Sequence, residues 1–126
     1  RIGYDAVPIN SNEILPLCRV NYESDIMLGK FGFYADTFRK ITDDIFGKDL
    51  KDITIIIDEI GLLEKEKEGW YELMKWSLTN TNNRLVFSVR KEILNDVIEE
   101  LEGREYEVVD LDLMKETRTH SERADY

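Results

Sequence analysis

Ile53-Thr54-Ile55-Ile56-Ile57-Asp58-Glu59-Ile60-Gly61 decides how the rest of the chain is read. Isoleucines around a single threonine form an almost uninterrupted β-branched run, the pattern of a strand buried on both faces in a parallel sheet. Two carboxylates follow at once, and then a glycine. In open parallel sheets ligands bind at the carboxyl ends of the strands, where the loops diverge. Asp58 and Glu59 therefore stand where a ligand would sit. The same spacing also fits a plainer reading, in which Asp58 caps a turn and Glu59 faces solvent.

Working outward, the apolar period alternates between helix and strand. Upstream, Phe38, Ile41, Ile45 and Phe46 sit at helical spacing, with Gly47 as a stop. Downstream, Trp70, Leu73, Met74 and Leu78 describe a second helix that ends in the polar stretch Thr79–Asn83. Arg84–Val89 reads as a short apolar strand, and Ile93, Leu94, Val97, Ile98 and Leu101 as a third helical stripe closed by Gly103. Tyr106–Leu111 reads as a last strand, and the residues from Met114 onward as a polar tail. This alternation predicts an α/β domain built on right-handed βαβ crossovers, a mostly parallel sheet flanked by helices.

The first thirty or so residues differ. Ile2–Pro8 and Ile14–Val20 read as an antiparallel hairpin around the turn-forming Asn10-Ser11-Asn12-Glu13. Pro8 and Pro16 remove ladder donors, which predicts strands near a sheet edge. Gly29-Lys30-Phe31-Gly32-Phe33 reads as a flexible aromatic connector. Trp70 and Trp76, six apart, fall on different helical faces, so at most one of them is expected in the core.

Composition sets outer bounds. The chain has 126 residues, 42% of them apolar, which suits one domain with a core of ordinary size. Lys plus Arg number 17 against 27 Asp plus Glu, for a formal charge of −10. Such a surface repels phosphate, which argues against a nucleic-acid partner or an anionic membrane. No apolar run approaches the ~20 residues that cross a bilayer. One cysteine, Cys18, cannot close an internal disulfide, and one histidine, His120, cannot build a Cys/His metal site. Cys18 reads as a small buried apolar residue, and a reducing, cytoplasmic setting fits. The chain starts at Arg1 rather than Met, so residues 1–126 are expected to form a single domain incomplete at its N-terminus.

A dry strand that runs straight into Asp-Glu is Walker-B-like. The first acid can hold Mg²⁺ through its water shell and the second can polarise an attacking water. Such an element needs a phosphate-cradling Gly-x-x-x-x-Gly-Lys-[Ser/Thr] as partner. Gly29-Lys30 is followed by Phe31 and has Ser24 at the first glycine position, and Gly47-Lys48 is followed by Asp49 and has Thr42 there. Neither is a phosphate loop.

Asp58-Glu59-Ile60-Gly61-Leu62-Leu63-Glu64 closely resembles the Asp-Glu-Ile-Gly-x-Met/Leu-Glu signature of the small P-loop nucleoside-triphosphatases, the bacterial, archaeal and cancer-related NTPase family. The resemblance continues in order along the chain. Arg1-Ile2-Gly3-Tyr4-Asp5 is similar to that family's Arg-Val-Gly-Phe-Asp, and Leu17-Cys18-Arg19-Val20 to its Leu-Ala-Arg-Val. Leu28-Gly29-Lys30-Phe31-Gly32-Phe33 resembles Val-Gly-Lys-Tyr-x-Val, and Lys115-Glu116-Thr117-Arg118-Thr119 resembles a Lys/Pro-Glu-Asn-Arg-Asn element with threonines in place of both asparagines. The resemblance implies that the P-loop strand and helix, with one more strand, precede the position of Arg1, and that residues 1–126 alone do not hydrolyse nucleotide.

It also implies roles. Asp58 would hold the Mg²⁺ hydration shell and Glu59 would orient or deprotonate the attacking water of an ATP- or GTP-type substrate. Glu64 would belong to the nucleotide site, against a reading as a solvated acid at the head of the charge run Glu64–Glu68. Lys30 could reach a phosphate as a point charge, or be an ordinary surface lysine. Arg90 follows a strand and could act on the γ-phosphate, or pair with a neighbouring acid. Arg118 would stack near the base. Two other classes compete. One is a nucleotide-binding-like module that lost its P-loop and only binds a partner. The other is a phosphoacceptor receiver domain with Asp58 as acceptor and Ser88 as switch hydroxyl. The receiver lacks an acidic pair after its first strand, where Asp5 stands alone, and has Asp110-Leu111-Asp112 where its lysine belongs.

Overall fold

The computed structural model describes residues 2–9 and 11–113. Its N-terminal third is an antiparallel sheet of β1 (Gly3–Ala6), β2 (Leu15–Val20), β3 (Met27–Leu28) and β4 (Phe31–Phe33), in the order β1-β2-β4-β3. The expected hairpin is present, with Gly3 opposite Arg19 and Ala6 opposite Leu15. It is only half of the sheet. The stretch expected to be a flexible connector folds instead into a second hairpin, with Leu28 opposite Phe31 and Gly29-Lys30 as a two-residue turn. Gly29 has a φ of +59°, the positive value that tight hairpin turns require.

The proline expectation holds for only one strand. β1 is an edge, but β2, which contains Pro16, lies inside the sheet. Pro16 is tolerated because β4 pairs only with Cys18–Val20, and the register with β1 shifts between Tyr4 and Asp5. The Pro16 carbonyl accepts the Thr37 hydroxyl at 2.6 Å, fastening helix α1 (Ala35–Phe46) to the sheet. Cys18 is buried and free.

The β-branched run becomes β5 (Thr54–Ile60). After the single helical turn α2 (Leu62–Lys65) and helix α3 (Tyr71–Asn80), the chain returns as β6 (Arg84–Val89), parallel to β5 with Ile55 opposite Leu85 and Ile57 opposite Phe87. A 3₁₀ turn (Lys91–Ile93) leads into α4 (Leu94–Glu100). The core gathers Ile55, Ile57 and Ile60 with Leu73 and Met74 of α3, and Ile93 and Val97 from the last helical stretch. Three carbonyls near the end of α3 and the start of β6, those of Leu78, Thr81 and Asn83, accept bonds from the Arg104 guanidinium.

The fold is thus mixed α/β, with a larger antiparallel part than expected and a two-stranded parallel part. Among the described residues β5 is covered on one face only. Ile56 is 66% exposed and its partner Val86 is 48% exposed, because the helices pack against the side that carries Ile55 and Ile57. Tyr106–Leu111 forms no strand. β-Branched and aromatic residues favour a strand only where an edge accepts them, and this segment makes no ladder with β5 or β6. The two tryptophans divide as expected, with Trp70 packed on the core cluster and Trp76 outside it. Trp70 precedes α3 rather than lying in it, and both rings are half-buried against α1, Trp70 edge-on to Phe38 at 4.7 Å and Trp76 stacked on Phe46 at 4.6 Å.

Candidate functional site at the end of strand β5

Strict alternation along β5 would point Ile55, Ile57 and then Glu59 into the core. The sheet avoids this with an extra residue. Ile57 pairs with Phe87 and Ile60 with Val89, so three steps on β5 match two on β6. Such a bulge re-aims the side chains around it. Ile60 takes the inward position and is fully buried, while both Asp58 and Glu59 turn outward and are exposed.

The two carboxylates then differ in constraint. Asp58 Oδ1 accepts a hydrogen bond from the Ser88 hydroxyl on the neighbouring strand. This contact leaves Oδ2 for other partners. Glu59 makes no side-chain hydrogen bond or ion pair among the described residues. Its Oε1 lies 3.9 Å from where a Gly61 Cβ would sit, and the Arg90 Cδ lies 3.5 Å from the same point. Glu59 and Arg90 therefore both lie beside Gly61. The Arg90 amide donates to the Ile60 carbonyl at 3.1 Å, tying the exit of β6 to the exit of β5. Its guanidinium pairs with Glu92, Nε to Oε2 at 3.1 Å. The Glu92 carboxyl is held below its usual value first by its own backbone N–H and then by Arg90.

Glu64 sits in a different environment. It is 7% exposed, so the reading as a solvated acid does not hold. Its Oε1 accepts the Gly61 amide at 2.8 Å and its Oε2 accepts the Trp70 amide at 2.9 Å. Sequence reasoning missed this arrangement because residue 64 heads an alternating charge run. The one local signal was Gly69, whose φ of +64° marks a chain reversal just after that run.

The remaining candidates are not gathered here. Lys30 is exposed in the hairpin turn of the antiparallel sheet, its Nζ 5.5 Å from the centre of the Phe31 ring. Arg118 lies outside the described residues, as does the polar tail from Met114. A hollow of about 450 Å³ lies instead between the β2–β3 loop and the junction of β4 with α1, lined by Tyr22, Ser24 and Tyr34 together with Glu23, Asp25 and Asp36. Three acids make it a poor seat for a nucleotide's phosphates.

Among the described residues no cluster of three or more His, Cys, Asp or Glu could cage a metal. The donor set at the strand end, one exposed aspartate with a neighbouring glutamate, suits a cation that keeps most of its waters and shares oxygens with a phosphate, which is how Mg²⁺ binds. No helix of the described residues is long and apolar enough to cross a membrane.

The mixed α/β fold presents two outward carboxylates at the carboxyl end of a parallel strand, where ligands bind in sheets of this kind. The family model described as NTPase matches residues 1–122, and the chain belongs to this P-loop NTPase family. Neither a curated protein nor a solved structure matches it. Membership sets aside the receiver-domain alternative.

Proposed function

We propose that residues 1–126 form the Walker-B half of a cytoplasmic, Mg²⁺-dependent nucleoside-triphosphatase that converts ATP or GTP and water to the diphosphate and phosphate. The phosphate-cradling loop, and the strands that complete a P-loop sheet, come from outside these residues, since neither Gly-Lys pair fits the loop pattern. The observation that carries the reading is the bulge that turns both Asp58 and Glu59 outward at the carboxyl end of β5.

Asp58, steadied by Ser88, would hold Mg²⁺ through its water shell. Bound Mg²⁺ supplies charge neutralisation on the phosphate oxygens. Glu59, which no partner restrains among the described residues, orients the attacking water and takes its proton as the new O–P bond forms and the bridging O–P bond breaks. Arg90 exchanges Glu92 for the charge that develops on the γ-phosphoryl group. Arg118 would serve the base, while Lys30, in the hairpin turn of the antiparallel sheet, takes no step at this strand end. Attack by water is direct, without a covalent intermediate.

Asp58→Asn tests the metal role. Asparagine keeps the shape and the acceptor for Ser88 while removing the charge. In the complete gene product, the Mg²⁺ concentration for half-maximal turnover should rise by about tenfold or more, roughly the worth of one charge-assisted contact. An unchanged Mg²⁺ dependence would contradict the assignment.

A further inference from the structure

We propose that Glu64 is a positioning residue for the hydrolytic centre, a buried carboxylate that bridges the amides of Gly61 and Trp70 and so fixes the end of β5, with the Gly61 that follows it, to the start of α3. This deepens the hydrolase reading and rests on it.

Glu64 is the one charged side chain buried among the described residues; the other buried polar groups are Thr37, Thr42 and Ser77. A buried carboxylate is costly unless N–H donors surround it. Two are supplied, at 2.8 and 2.9 Å, from backbone positions nine residues apart. The intervening chain is wound around this carboxylate. Amides of Lys67 and Glu68 return to the carbonyls of Glu64 and Leu63, and Lys67 and Gly69 both adopt positive φ. A Cβ on Gly69 would lie 2.1 Å from Glu64 Oε2, so the carboxylate occupies the place of a side chain at residue 69. Glycine is required there by Glu64 as much as by φ.

The geometry gives the clamp leverage over chemistry. The strand end is held at three points: the Asp58 carboxylate by Ser88, the Ile60 carbonyl by the Arg90 amide, and the Gly61 amide by Glu64. Gly61 is also the residue beside which Glu59 and Arg90 both lie. Release of its amide moves both groups relative to the reacting phosphate, and a misplacement of ~1 Å costs on the order of 100-fold in rate. Glu64 is buried with both oxygens taken up by backbone amides, so its loss should leave nucleotide affinity alone.

Two variants break the clamp from opposite sides. Glu64→Gln removes the charge and sets an NH₂ against one of the two amides. Gly69→Ala leaves the carboxylate intact and displaces it. In the complete gene product each should lower kcat by about tenfold or more with KM within about twofold, the signature of a lost transition-state interaction. The double variant should fall no further than the worse single one, since both remove the same contact. In the purified variants, amide hydrogen exchange should accelerate at Gly61 and Trp70 and stay protected at Met74 and Ile93. Should Glu64→Gln unfold the chain, Gly69→Ala decides by the same measurements. Faster exchange at Gly61 with wild-type kcat overturns the proposal, as do effects that multiply in the double variant. If Glu59→Gln retains full turnover, the hydrolytic reading itself fails. If Glu59→Gln is crippled while both clamp variants turn over normally, only the positioning role fails.

Discussion

Gly32 in β4 shows how much one missing side chain decides. A Cβ there would lie 1.8 Å from the Tyr22 carbonyl oxygen, with backbone rather than a movable side chain in the way. Gly47 after α1 differs, with an ordinary φ of −79° and its nearest atoms 3.7 Å from where a Cβ would sit. Gly32→Ala should therefore destabilise the chain by about 1–3 kcal/mol through overpacking. Gly47→Ala should be neutral or stabilise by about 0.4–1 kcal/mol through the unfolded state. Urea midpoints of the two variants check the contrast, and equal midpoints would contradict the close approach at Gly32. At this scale the sequence was legible where chemistry follows local order. Asp58 and Glu59 stand out in the sequence because two acids end a β-branched run. The bulge that turns Glu59 outward does not, because it depends on the register with β6. The Ser88 bond to Asp58, the Glu64 clamp and the Arg104 guanidinium were hidden for the same reason, since each joins residues that only the fold brings together.

Between elements, α3 and α4 are joined by a polar cluster beside the apolar core. Lys75 Nζ lies 2.7 Å from Glu100 Oε2, and the Tyr71 hydroxyl donates to Glu100 Oε1 at 3.1 Å. The Glu100 carboxyl is held below its ordinary value, first by the Lys75 ammonium, with burial opposing and the Tyr71 hydroxyl assisting. A depressed carboxylate stabilises the fold above its unfolded value of about 4.3 and loses that contribution as pH falls through the lower folded value. Glu100→Gln should thus lower Tm near neutral pH and converge on wild type as pH drops below about 4. Thermal scans across that range check it, and a gap that persists in acid would contradict the pairing. The three long helical stripes appeared where their apolar spacing placed them. Strands were harder. Tyr106–Leu111 has strand-forming residues but no edge to join, and Phe31–Phe33, expected to be flexible, found one in β2 and β3. Helices satisfy their own backbone, whereas strands depend on a neighbour that sequence order does not reveal.

At the scale of the molecule, the run Ile53–Ile57 suggested burial on both faces, yet its outer face carries exposed Ile56 beside exposed Val86. The parallel character was legible; the extent of cover was not, because it depends on what packs against that face. The net charge of −10 surrounds the strand end proposed here for an anionic substrate, which makes Arg90, the cation beside Gly61, correspondingly important to that reading. All of this converges on the outward carboxylates at the end of β5. The most direct test is phosphate release by the complete gene product carrying Glu59→Gln, measured beside wild type at saturating Mg²⁺ and nucleotide, with nucleotide affinity followed separately. The expected result is affinity within about twofold of wild type and turnover lowered by on the order of 100-fold or more, the usual worth of a general base. Wild-type turnover in that variant would contradict the account.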